Sequence, residues 1–340
     1  MRAAVIHPPH DLRIEEVDTP SVAPGQVKLR VRNGGICGSD LHYFHHGGFG
    51  SVRVRAPMIL GHEVAGEVIE RGAGVIGLAV GTPVAVNPSL PCNACSFCLE
   101  GMQQHCLDMR FYGSAMRTPH VHGGFREILV CEAAQAVPAP MPSERAAFAE
   151  PLSVCLHAVG QAGALLGRRV LVTGAGPIGA LCVMVARHAG AREIIATDLM
   201  DEPLAVARRV GADRTVNVGT HDLSAYAANK GYFDIAFECS GSGAAMAAIL
   251  PVVRPRGMIV QVGVAGAEVP VALNTVVAKE LTLRGTFRFH AEFALAVQLL
   301  AGGALDVAPL LTEVVALDDA ARAFALATDR RRAMKVQIGF

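Results

Sequence analysis

Three groups of residues in this chain have the types and spacing that chemistry requires. The tightest is Cys92-x2-Cys95-x2-Cys98-x7-Cys106, four thiols in one short loop led by Pro91. Four sulfurs leave no open coordination position, which suits a tetrahedral structural Zn²⁺. An iron–sulfur cluster is the rival, but the spacing lacks the short final gap and trailing Pro of the bacterial ferredoxin run. The second group is dispersed over Cys37-Gly38-Ser39-Asp40, Gly61-His62-Glu63 and Glu150-Pro151. Thiolate, imidazole and carboxylate together hold zinc while leaving a position for water or substrate, as a catalytic metal needs.

The third group is Gly174-Ala175-Gly176-Pro177-Ile178-Gly179, a G-x-G-x-x-G that follows the apolar run Val170-Leu171-Val172-Thr173. Gly174 permits the tight turn, Gly176 lets backbone approach a pyrophosphate, and Gly179 lets the next helix pack on the strand. The helix N-terminus offers free N–H groups to the phosphates, and Pro177 there loses no hydrogen bond. Asp198 ends the following strand, where an acid accepts the adenosine ribose hydroxyls. The next residues, Leu199-Met200-Asp201-Glu202, hold no Arg or Lys for a 2′-phosphate, so NAD is favoured, with NADP possible. Ile178 and, further along, Val262 and Val264 complete the residues expected to touch the dinucleotide.

The elements that must position these groups fall into two textures. The first ~145 residues carry short β-branched runs broken by Gly and Pro, such as Val27–Val31 and Val64–Ile69, the pattern of a β-rich domain with many turns. From Arg168 strands alternate with helical patterns, which predicts right-handed crossovers and a parallel sheet. The six expected strands are Arg169–Thr173, Glu193–Thr197, Arg214–Val218, Phe233–Glu238, Met258–Val262 and Leu281–Gly285. A helix from Pro177 to Ala189 is stopped by Gly190. Two amphipathic segments, 291–301 and 317–327, and a last strand, 334–338, are placed to close back on the first domain.

At 340 residues and 51% hydrophobic, the chain has material for two buried cores. Lys plus Arg and Asp plus Glu are each 30, so no basic patch announces nucleic acid. Trp is absent, which weakens any case for base stacking. No signal-like apolar core opens the sequence and no uncharged run is long enough for a membrane span, so a soluble cytoplasmic protein without membrane or nucleic-acid partners is expected. Nine cysteines, four of them clustered, favour metal thiolates over disulfides. Cys131, Cys155, Cys182 and Cys239 read as small buried hydrophobes.

The run Gly61-His62-Glu63-x2-Gly66-x5-Gly72-x2-Val75 resembles the zinc alcohol dehydrogenase signature of the medium-chain dehydrogenase family, and the likeness extends over essentially the whole chain. It implies an α/β protein with a GroES-like β-rich catalytic domain, 1–148 and 288–340, around a Rossmann domain, 149–287. Cys37-Gly38-Ser39-Asp40-Leu41-His42-Tyr43, His62-Glu63 and Glu150-Pro151-Leu152-Ser153-Val154 are similar to the sorbitol dehydrogenase branch. There a Glu completes the catalytic metal shell, and Glu150 either ligates the metal or holds its water. The family chemistry is zinc-assisted loss of hydride from a secondary alcohol to the nicotinamide.

Ser39 is the first candidate for a proton relay, since a hydroxyl donates and accepts at once. His42 matches the family's outer relay position. The runs Asp108–Met116 and Arg284–Phe289 are closest to branch members that act on sugar acids. Arg110 and Arg288 are then the groups to grip a carboxylate with paired hydrogen bonds, with Tyr43 beside them. Phe289 stands where sorbitol dehydrogenases have Tyr, which argues against sorbitol itself. A sugar acid is expected, with a neutral polyol as the alternative. The family also implies a homodimer or homotetramer; the strip Val269–Leu273 is a candidate pairing edge, with an internal loop strand as the other reading.

Overall fold

Alternation writes the first sheet. In the strand Gln26–Gly35 the side chains of Val27, Leu29 and Val31 turn inward while Arg30 and Arg32 face solvent. Burying one such aliphatic side chain contributes roughly 1.5–3 kcal/mol, so the register that hides all three is strongly preferred. The computed structural model describes residues 1–340 except Ala267. In it Gln26–Gly35 is the centre of a sheet of seven strands, flanked by Glu63–Arg71 and Lys335–Gly339. Pro83–Val86 and Ala136–Pro138 extend one side, Leu311–Ala316 the other, and Ile128–Glu132 pairs with the start of the central strand. Val64, Val68, Val84, Val86 and Leu129 complete its core.

Register across three neighbouring strands brings two side chains from distant segments together. Gly35 lies opposite Glu63 on one side and opposite Gln337 on the other. A Cβ on residue 35 would fall 2.1 Å from Glu63 Oε2 and 3.1 Å from Lys335 Cε. The bare backbone of Gly35 is therefore what lets Glu63 and Lys335 meet above it.

The second sheet is parallel, six strands in the order Arg214–Asn217, Glu193–Asp198, Arg169–Thr173, Phe233–Glu238, Val253–Gln261, Thr282–Gly285. This is the dinucleotide-binding order, whose topological switch lies between its third and fourth members. Val170, Leu171 and Val172 are wholly buried, as continuous apolar runs covered on both faces should be. The helix Pro177–His188 starts at Gly176 and ends at Ala189, with Gly190 at φ 87° just beyond.

Each sheet organises its own compact unit. One comprises Met1–Ser153, His290–Asp329 and Lys335–Phe340; the other comprises Val154–Phe289 and Arg330–Met334. The first division falls inside the helix Ala149–Gln161, a few residues past the expected boundary at 148. The return of 330–334 to the parallel-sheet unit was not expected at all.

One further expectation needs correction. Val269 and Val271 do not form an edge strand; they pack against the core of the parallel-sheet unit, and Leu273 begins a helix, Leu273–Lys279. The sheet edge is Thr282–Gly285, exposed along its length. Among the described residues no helix is long and apolar enough to cross a membrane.

Candidate active site and metal centres

The dispersed group converges. Cys37 precedes the helix Gly38–His46 as its N-cap, and His62 and Glu63 lead into the strand Glu63–Arg71. Their sulfur, nitrogen and oxygen donor atoms all lie within 4.8 Å of one another. Asp40 ties the two segments together: Oδ2 accepts from the Cys37 N–H at 3.0 Å and Oδ1 from the Gly61 N–H at 3.1 Å. Oδ1 also stands 3.8 Å from His62 Nδ1, which is buried without a hydrogen-bond partner. A carboxylate beside the imidazole of a metal-binding histidine orients the ring. Burial pushes the His62 pKa down, but the Asp40 charge and Cys37 outweigh it and hold it up at about 10.

Glu63 is held from the far end of the chain. Lys335 Nζ, buried, donates to Glu63 at 2.5 Å and to the Ile36 carbonyl at 2.9 Å. Glu63 Oε2 takes part in the ion pair but receives no directed hydrogen bond. Glu150, buried on the first turn of Ala149–Gln161, adds negative charge felt by both His62 and Lys335 but lies outside the tight donor set. Glu63, Glu150 and the Cys37 thiol thus face Lys335, while Asp40 faces His62. The donor chemistry, with the His62 ring oriented by Asp40 through its other nitrogen, fits a zinc dication.

Around this cluster the expected residues separate. Ser39 and His42 stand three apart on the Gly38–His46 helix, so they share a face. His42 is exposed, and burial of part of its ring with His46 nearby lowers its pKa. Tyr43 is buried, its hydroxyl accepting from the Ala115 N–H at 3.1 Å. Arg110 is not brought to the site. Phe111 packs its ring 5.5 Å from that of His62, and strand alternation sends Arg110 the opposite way, into a separate groove with Tyr112 and Gln135. Arg288, in the other unit, has φ 52° and its guanidinium 5.1 Å over the Phe287 ring.

The four cysteines also converge, with all four sulfurs within 4.8 Å. Backbone N–H groups point at them: Cys92 and Asp108 donate to Cys106 Sγ at 3.2 and 3.3 Å, and Cys95 donates to Cys92 Sγ at 3.3 Å. Such donors stabilise thiolates. The Leu107 N–H and its neighbours draw Cys95 down to about 6, while burial pushes Cys98 up to about 12. The set fits a closed zinc site. Cys131, Cys155 and Cys182 are buried; Cys239 is only partly so.

In the parallel-sheet unit Gly174 has φ 80°, which favours glycine, and a Cβ on Gly179 would strike the Gly174 carbonyl at 1.8 Å. A Cβ on Gly176 would meet only Arg330 Nη2, at 3.9 Å. The backbone there is open, and the helix N-terminus beside it has no side-chain cap, as a phosphate cradle requires. Ile178 lies in the first helical turn, and Val262 and Val264 follow the strand Val253–Gln261, with Val264 80% exposed. Asp198 is buried at the end of its strand and is ion-paired with Arg330 at 2.7 Å. A cation therefore does stand beside Asp198. Residues 199–202 hold no Arg or Lys, as read from the sequence, and the cation arrives from 132 residues away.

Comparison with known proteins places this geometry. Residues 23–141 match the alcohol dehydrogenase GroES-like domain, and residues 177–302 match the zinc-binding dehydrogenase domain. L-idonate 5-dehydrogenase (NAD(P)(+)) of Escherichia coli strain K12 is 44% identical over 314 residues, 92% of this chain and 91% of that protein. The chain belongs to the zinc-binding dehydrogenase family. Sorbitol dehydrogenase of Gallus gallus is 35% identical over 99% of this dehydrogenase and 95% of its own length. The crystal structure of the E. coli L-idonate 5-dehydrogenase superposes with a TM-score of 0.96 at 42% identity, covering 100% of this chain and 98% of that one. This dehydrogenase therefore has the GroES-like and Rossmann folds of the family and is an oxidoreductase acting on alcohols.

Sequence reasoning passed over three residues here. Asp40 stood in a quoted motif without a role, and Lys335 and Arg330 were not considered. The signal for Lys335 was a lone lysine opening an otherwise buried strand, Lys-Val-Gln-Ile.

Proposed function

We propose that this dehydrogenase oxidises a secondary alcohol of a sugar acid, L-idonate to 5-keto-D-gluconate being the first candidate, and passes hydride to NAD. The observation that carries the reading is the convergence of Cys37, His62 and Glu63 donors in a buried, negatively charged cluster. Likeness to the E. coli L-idonate enzyme supports the substrate class. A sorbitol- or xylitol-type polyol is the second reading, favoured by the likeness to the chicken sorbitol enzyme. Against it stands Phe289, which offers no hydroxyl where sorbitol dehydrogenases have Tyr.

When bound at Cys37, His62 and Glu63, zinc lowers the pKa of the alcohol and favours its ionised form. The protein's own groups do the rest. Asp40 holds the Cys37 and His62 segments in register. Lys335 fixes Glu63 and offsets its charge. Glu150 supplies a further carboxylate at the site. Ser39 takes the alcohol proton and passes it along the helix face to His42, whose lowered pKa leaves it neutral and able to accept. Arg288 grips the substrate carboxylate, and Tyr43 shapes the pocket. Gly174, Gly176, Pro177, Ile178, Gly179, Asp198, Val262 and Val264 receive the dinucleotide. Cys92, Cys95, Cys98 and Cys106 hold a second, structural zinc. The enzyme acts in the cytoplasm as a homodimer or homotetramer.

The test is a substrate panel: turnover with NAD on L-idonate against sorbitol and xylitol. A preference for the neutral polyols overturns the sugar-acid reading. His62→Ala that loses one zinc per chain yet keeps full turnover overturns the metal assignment.

A further inference from the structure

Asp198 has no acceptor position left. Its Oδ1 accepts from the Leu199 N–H at 2.8 Å and the Met200 N–H at 3.2 Å. Its Oδ2 accepts from the Ala175 N–H at 2.8 Å and from Arg330 Nη2 at 2.7 Å. A carboxylate offers about four lone-pair sites, and all are taken. Three of the four donors are main-chain groups fixed by the glycine turn and the strand end. Only Arg330 can leave: its side chain is 46% exposed where that of Asp198 is 3% exposed. The adenosine ribose therefore has one way to reach the carboxylate, which is to take the place of the guanidinium.

We infer that Arg330 is the residue that sets cofactor breadth at the adenosine end. It partners Asp198 in the free enzyme, yields its place to the ribose of NAD, and turns to the 2′-phosphate when NADP binds. The displaced guanidinium needs no long excursion, because the 2′-phosphate replaces the very hydroxyl that Asp198 would accept. A bidentate cation there offsets the repulsion between Asp198 and the phosphate. The inference rests on the dinucleotide site proposed above and adds a specificity determinant to it.

Titrate the intact enzyme with NADH and with NADPH by nicotinamide fluorescence, for wild type, Arg330→Ala and Arg330→Lys. Compete 5′-AMP against adenosine 2′,5′-bisphosphate in the same proteins. Loss of a charge-assisted bond predicts that Arg330→Ala weakens NADPH and the bisphosphate by at least about tenfold. NADH and 5′-AMP should bind as before or up to about threefold tighter, since a competitor for Asp198 is gone. Arg330→Lys should fall between for NADPH. Equal weakening of both cofactors overturns the inference, because it places Arg330 on the shared pyrophosphate. So does unchanged NADPH affinity, or a wild type that binds NADH and not NADPH. A wild type that binds neither overturns the dinucleotide site itself, and a circular dichroism spectrum checks that the variants are folded.

Discussion

Replacing Lys335 by Met keeps most of the buried stem and removes the ammonium. What remains is a buried Glu63 carboxylate without its cation, close to the Cys37 sulfur, with Glu150 adding its own negative charge to the site. Both partners are almost wholly enclosed, with side chains 4% and 1% exposed, so solvent cannot take over. Breaking a buried pair from one side costs about 3–5 kcal/mol. The hydrogen bond to the Ile36 carbonyl goes as well. Urea unfolding with zinc chelated should show that loss in full. With zinc bound the loss should shrink, because the dication then answers the carboxylate. The double variant Glu63→Gln/Lys335→Met should recover much of the stability, since neither charge is stranded. A loss under about 1 kcal/mol in the metal-free protein, the range of an exposed pair, would refute the reasoning.

Gly176→Ala should fold normally, its new methyl meeting only Arg330 Nη2 at 3.9 Å, yet bind NADH at least about tenfold more weakly because the methyl stands where phosphate must approach. Gly179→Ala should instead destabilise the fold, the methyl colliding with the Gly174 carbonyl at 1.8 Å, and a thermal melt distinguishes the two. Cys98→Ser should remove one of the two zinc ions proposed per chain and lower the melting temperature; zinc content unchanged by elemental analysis contradicts the four-sulfur site. His122 accepts the Ile59 N–H at Nδ1, 3.1 Å, and burial, with Arg126 and His120, lowers its pKa. Protons therefore bind the unfolded chain more readily, so its contribution is whole above about pH 6.5 and lost as pH falls through the lowered value. His122→Asn, which keeps the acceptor, should flatten stability against pH below about 6.5; an unchanged slope rules the histidine out as a source.

The parallel sheet was open to sequence reading because most of its strands are short apolar runs between turn residues, and five of the six both begin and end within a residue of expectation. The exception, Val253–Gln261, starts earlier because Arg254, Pro255 and Arg256 interrupt its apolar pattern. Both metal groups were legible because the spacing of their cysteine, histidine and carboxylate residues is chemically restrictive. Pairings made at long range were not. Lys335 meets a partner 272 residues away and Arg330 one 132 residues away, and no local period encodes either. Arg110 was misplaced for the opposite reason. Its neighbours looked right, but a strand sends adjacent side chains to opposite faces, and Phe111 took the inner one.

The strand that supplies Lys335 is translated well after Cys92 to Cys106, which emerge together. Until that strand arrives, the Glu63 carboxylate lacks its cation, and the Cys37–His62–Glu63 cluster is electrically unbalanced.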